Sequence, residues 1–229
     1  RQVSSLLTSL HKVFEHYSCG GGTRPLAFSR SPSLDGPTAP SRTGTAFSLF
    51  LLHKSNMLKQ AFAPDEVDSI AAYFIAEILP SIQSREVDGD TEPAQDHEVE
   101  AHLEASSQAA YTQPIWLCGL SAIASVASES KRSTLLDAPE ANAAYMQLRG
   151  RLAGGGDGFI RHVSEKQNTG PSAYLTLWTV MSLHAWKRVN LMLDPAGEAD
   201  QAELLKPVYH WAKNEVAHNI ASHHAGIHN

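Results

Sequence analysis

The residues of this chain best spaced for chemistry are Glu215 and His218, an E-x-x-H pair whose side chains project from one face of a helix about one turn apart. A carboxylate and an imidazole so placed can share a transition metal. In dinuclear carboxylate bundles the same pair occurs twice, and two further glutamates complete a ring of ligands drawn from four helices. Here the pair occurs once. On a helical wheel Glu215 falls within the arc of Leu204, Val208 and Trp211, where a buried carboxylate needs a cation, a metal or a proton. The plainer reading is a hydrogen-bonded pair, Glu215 with His218 or with a neighbouring base. His223, His224 and His228 could join His218 at a zinc, which three or four ligands would close, but they follow no finger spacing and also suit a solvated tail.

Other polar groupings are weaker. His97 and His102 with Glu98 and Glu100 suit a solvated helix face. The run from Asp88 to Glu92 alternates oxygen ligands as a calcium loop does, but Pro93 stands where that loop needs Gly and Val99 where it needs a bidentate Glu. Gly154 to Gly158 lacks the Lys-Ser/Thr of a phosphate loop, despite Arg149, Arg151 and Arg161 nearby. No nucleophile elbow or Cys-His pair is evident. Cys19 and Cys118 stand far apart, so they imply neither a disulfide framework nor a thiolate zinc site, and a reducing compartment is the default expectation.

A second kind of candidate is an extended arm from Cys19 to Gly44, rich in Pro and Gly. Its apolar anchors are Leu26, Phe28 and Leu34, too few to offset the entropy of ordering it alone. It is therefore expected to lie on partner subunits, with Phe28 and Leu34 in their pockets and Arg24, Arg30 and Arg42 on acidic groups. RNA phosphates are the second reading of those arginines, disfavoured because stacking aromatics are sparse.

The elements that must position these residues are helical. With 42% hydrophobic and 18% charged residues, the 229-residue chain can fill one globular core. Its charge is segregated: residues 1–60 carry seven bases against two acids, and residues 61–104 carry Arg85 against twelve acids. Residues 2–17 read as an amphipathic docking helix (1–18 as a unit) with Val3, Leu6, Leu10, Phe14 and Tyr17 on one face. That segment is Ser-rich and carries a single acid, Glu15, a composition shared with organellar transit sequences, and Arg1 rather than Met heads the chain.

Residues 45–229 read as the body, with an acidic loop near 84–95. A short apolar helix covers 45–59. Pro64, Asp65 and Glu66 open a helix whose Val67, Ile70, Phe74 and Ile78 make one stripe and which Pro80 closes. The small residues of 111–130 let other helices approach closely. Asp137 and Glu140 head a helix with Ala141, Tyr145, Leu148 and Leu152 on one face, and Asp200 with Glu203 heads another that Pro207 kinks.

The longest apolar run, Pro171 to Leu193, reads as the central buried helix, with Trp178, Met181, Ala185 and Val189 deepest. Lys187 and Arg188 leave it short of a membrane span.

The expected fold is an all-α, irregular bundle of about seven or eight helices behind a long Pro/Gly-rich N-terminal extension. The expected function is that of a non-enzymatic accessory or structural subunit contacting other proteins of a multi-subunit complex. Its expected place is mitochondrial, of respiratory or ribosomal type, or otherwise another reducing intracellular compartment. The alternative is a helical metal-binding protein or metalloenzyme with a transition metal at Glu215 and His218; no other cofactor is implied.

Overall fold

Caps and proline positions set the helix limits, and the fold is an all-α multi-helix bundle with almost no strand. A computed structural model describes residues 13–16, 25–28, 40–82, 112–154 and 173–190, with Lys206, Tyr209, His210, Lys213 and Asn214. Two short strands, β1 (Phe14–His16) and β2 (Leu26–Phe28), precede the helices. The helices are α1 (Arg42–Lys54), α2 (Leu58–Ala61), α3 (Pro64–Tyr73 and its continuation), α4 (112–124), α5 (Glu129–Leu136), α6 (Pro139–Gly154) and α7 (Ala173–Val189).

Pro64 takes the first helical position of α3, and the Ala63 N–H donates to the Glu66 carboxylate at 2.8 Å. Val67, Ile70, Phe74 and Ile78 are all buried, as their spacing predicts. Pro80 does not close this helix. The chain passes through a π-helical turn, Phe74–Ile78, where the Leu79 N–H donates to the Phe74 carbonyl, and adds one more α-helical turn, Leu79–Ile82. Pro80 has no N–H to give and its ring crowds the carbonyl four residues back; the wider turn just ahead accommodates both.

Helix α4 is the centre of the described body. All its residues except Thr112 and Trp116 are buried. Gly119 lies against Ala46 of α1, so close that a Cβ built on it would stand 2.5 Å from the Ala46 Cα. The small residues of this segment thus do what their size predicts. Polar side chains fix the register around α4. Trp116 Nε1 donates to Thr43 Oγ1 of α1 at 3.1 Å, and Gln113 Nε2 donates to the Ile82 carbonyl at 2.9 Å and to Gln147 Oε1 of α6 at 2.8 Å. The Ser128 N–H, at the start of α5, donates to Asp68 Oδ1 of α3 at 2.9 Å.

The N-terminal segment differs from its periodicity. Residues 14–16 are extended, not helical, and pair antiparallel with 26–28 in the register Phe14 to Phe28 and His16 to Leu26. The strand wins because both members dock on helices. Phe14 packs edge-on to Phe62 at 4.8 Å and to Phe28 at 5.7 Å. Side chains satisfy backbone donors of β2, Ser69 Oγ accepting from Leu26 N–H and Thr45 Oγ1 from Phe28 N–H. The stretch expected to stay extended to Gly44 also turns helical earlier: Ser41 caps α1, its Oγ accepting from the Gly44 N–H at 3.0 Å.

Helix α7 forms where expected but is rotated and lies to one side of the bundle, not at its centre. Its buried residues are Leu175, Thr176, Thr179, Ser182, Leu183 and Trp186, whereas Trp178, Ala185 and Val189 are half-buried and Met181 is exposed. The Thr/Ser stripe turns inward because short side chains allow α6 close by and Ser182 Oγ bonds within its own helix, to the Thr179 carbonyl at 2.8 Å. Trp186 also finds an acceptor there. Its Nε1 donates to Asn142 Oδ1 at 3.3 Å, and Asn190 Nδ2 donates to the Leu136 carbonyl at 3.0 Å. Bulk alone points to the wrong face; close fit and the Trp186–Asn142 bond decide the right one, although Thr179 Oγ1 is buried without a partner among the described residues.

Candidate functional site

Several of the residues marked by the sequence lie outside the described residues: Glu215, His218, His223, His224, His228, His97, His102, the 84–95 loop, Arg24, Arg30 and Leu34. Lys206, Tyr209, His210, Lys213 and Asn214 are helical and exposed, within the segment that Asp200 and Glu203 head. Of the residues foreseen as partner contacts in the arm, Phe28 and Arg42 are described, and each also has a neighbour within the chain. The Phe28 ring meets Phe14, and Arg42 Nη2 lies 3.1 Å from Glu77 Oε2 on the surface. Among the described residues no three His, Cys, Asp or Glu side chains converge to hold a metal, and no helix is long and apolar enough to cross a membrane.

The described surface feature with most chemical content is the face shared by α1 and α7. Trp178 stands between the helices, its ring 5.7 Å from Phe47 and 5.8 Å from Phe50, both tilted. These rings set the helices side by side with an open face. Phe47 is 39% exposed, Leu51 49%, Leu177 50% and Met181 37%. Each helix thus carries an outward stripe at alternating steps of four and three: Phe47, Leu51 and Lys54 on α1, and Leu177, Met181, His184 and Arg188 on α7. Such stripes are normally buried against another helix.

One end of the face is basic. Lys54 Nζ lies 5.4 Å from the centre of the Phe50 ring. Burial, then Lys54 and then Arg188 hold the His53 imidazole below its ordinary range. His184 is lowered by burial, then by Arg188 and Lys54. Trp178 of α7 meets Phe47 and Phe50 of α1, and further along both helices Arg188 acts on His53 and Lys54 on His184, so the C-terminal ends of α1 and α7 lie on the same side and the helices run roughly parallel. No carboxylate shares in either shift, and neither Lys54 nor Arg188 makes an ion pair with a described acid.

Beneath this end, Ser125 Oγ lies 3.3 Å from His53 Nδ1. The pair is a clasp rather than a nucleophile and its base. Ser125 Oγ donates its proton to the Ala122 carbonyl at 2.7 Å, so its lone pairs accept from an N–H on Nδ1. A catalytic base would need the opposite tautomer and a carboxylate behind it, whereas the neighbours of His53 are cationic. Cys118 is fully buried, and desolvation pushes its thiol up to about 12 although Lys54 pulls the other way, so it too is inert as a nucleophile.

Sequence reasoning missed this face because it assigned Met181 and Trp178 to the core. The signal was present in the apolar residues spread around the whole circumference of α7, more than one buried face consumes. In the comparisons, the chain matches no protein-family model, no curated protein and no solved structure, so its function must be read from its own chemistry.

Proposed function

We propose that this chain is a non-enzymatic accessory or structural subunit of a multi-protein assembly. The observation that supports this reading is the exposed apolar stripe pair on α1 and α7, Phe47 and Leu51 beside Leu177 and Met181. Apolar side chains in register on two neighbouring helices lose free energy when a further protein covers them. The transit-like composition of residues 2–17 favours a mitochondrial setting.

The test is native mass spectrometry of the chain isolated from its source, with metal analysis alongside. The expected result is a defined hetero-assembly that the exposed double substitution Phe47→Glu and Met181→Glu dissociates. A monomer at native abundance overturns the reading. So does one or more tightly held equivalents of iron, manganese or zinc, which would favour a metal site at Glu215 and His218 instead.

A further inference from the structure

We infer that the α1–α7 face seats an acidic amphipathic helix of another protein, lying antiparallel to α1 and α7 with its first turn against Lys54 and Arg188. This names the partner chemistry for the accessory-subunit reading and rests on it. The stripes themselves argue for a helix. Alternating steps of four and three on α1 and α7 present the ridges that a third helix meets with its own i, i+3, i+4 and i+7 anchors. Trp178 keeps the two helices apart through its tilted ring contacts with Phe47 and Phe50, and so shapes the seat between them.

Charge selects an acidic partner and its direction. Lys54 and Arg188 stand at one end without ion-pair partners among the described residues, with His53 and His184 beside them. The same end gathers the C-termini of both helices, where each macrodipole is negative. A partner helix placed with its N-terminus here brings a positive dipole end to those carbonyls. Its first turn is also where acidic side chains are most favourable, so the same turn delivers carboxylates to Lys54 and Arg188. The opposite direction would oppose like dipole ends. A membrane surface fits less well, because adsorption to anionic lipid draws on a cluster of several bases and this face presents two full cations.

The probes are two synthetic peptides of about 18 residues, a length that gives a marginally stable helix. Both place Leu at i, i+3, i+4 and i+7; one carries Glu in its first turn and Lys in its last, and the other reverses these charges. Titrated by fluorescence anisotropy into the full chain, the acid-first peptide should bind in the micromolar range and the reversed peptide about tenfold or more weaker. Lys54→Glu with Arg188→Glu should exchange that preference. These side chains are exposed, and an unchanged melting curve shows that the variant is folded. Equal binding of both peptides, no saturable binding, or unaltered preference in the double variant overturns the inference. Binding to phosphatidylserine vesicles but not to either peptide overturns it in favour of a lipid surface. If the native assembly persists while the peptides fail, the accessory reading stands and only this seat is wrong.

Discussion

Gly119 and Ala46 form a close backbone crossing of α4 on α1: a methyl group on Gly119 would lie 2.5 Å from the Ala46 Cα and 2.8 Å from its carbonyl oxygen. The neighbour is backbone, so it cannot swing away. This contact brings α4 onto α1 and thereby places the helix that carries Phe47, Leu51 and His53.

Gly119→Ala should therefore destabilise the chain by about 1–3 kcal/mol or more through overpacking. Gly150 is also helical, but a Cβ added there would meet nothing within 4 Å, so it provides the control. Gly150→Ala should stabilise by about 0.5–1 kcal/mol through helix propensity alone. Urea unfolding of both variants checks the signs, and equal effects would mean that the α1–α4 crossing is not tight.

Trp186 and Trp178 separate core from surface on one helix. Trp186 is fully buried and bonded to Asn142, so Trp186→Ala should cost about 3–5 kcal/mol. Trp178 is only half-buried, and Trp178→Ala should cost clearly less. Chemical denaturation of the two variants would show the reverse order if the α7 rotation were wrong.

Stability should fall as the medium is acidified below about pH 6.5. The folded state lowers the pKa of His53 and His184 beneath the ordinary 6.5, so the unfolded chain binds protons that the folded one resists. Their contribution is complete above pH 6.5 and is lost as pH falls from there through the lower folded values. His53→Gln with His184→Gln should flatten this part of the urea-stability profile between pH 8 and pH 5, and an unchanged slope would exclude both groups as its source.

Lys187 is a local cost to the fold, since its Nζ is shielded from solvent without a hydrogen-bond partner among the described residues. Lys187→Met keeps most of the stem and removes the polar head, so it should stabilise by about 1 kcal/mol. Thermal unfolding checks the sign, and a loss of stability would mean that the ammonium contributes favourably where it lies.

Much of the architecture is legible in the sequence. Local rules act within a turn or two, so Pro64 with Glu66, the 67–70–74–78 stripe and the 141–145–148–152 face are readable directly. The size of Gly119 and its neighbours announces a close crossing without saying what crosses. The candidate face was not legible, because it depends on which side of α7 turns inward. That choice rests on contacts between segments far apart in sequence: Asn142 accepting from Trp186, α6 fitting the Thr/Ser stripe, and Phe47 and Phe50 holding Trp178 at the rim.

The strand at 14–16 carries the same lesson. Phe14 and its neighbours have helical spacing, but Phe62 on one side and Phe28 on the other reward an extended backbone. Sequence by itself determined that this protein is helical and where most helices begin, because caps and periodicity are short-range. Tertiary structure alone decided the facing of α7, the strand pairing and the basic apolar seat, because burial and hydrogen bonding are settled between elements that only the fold brings together.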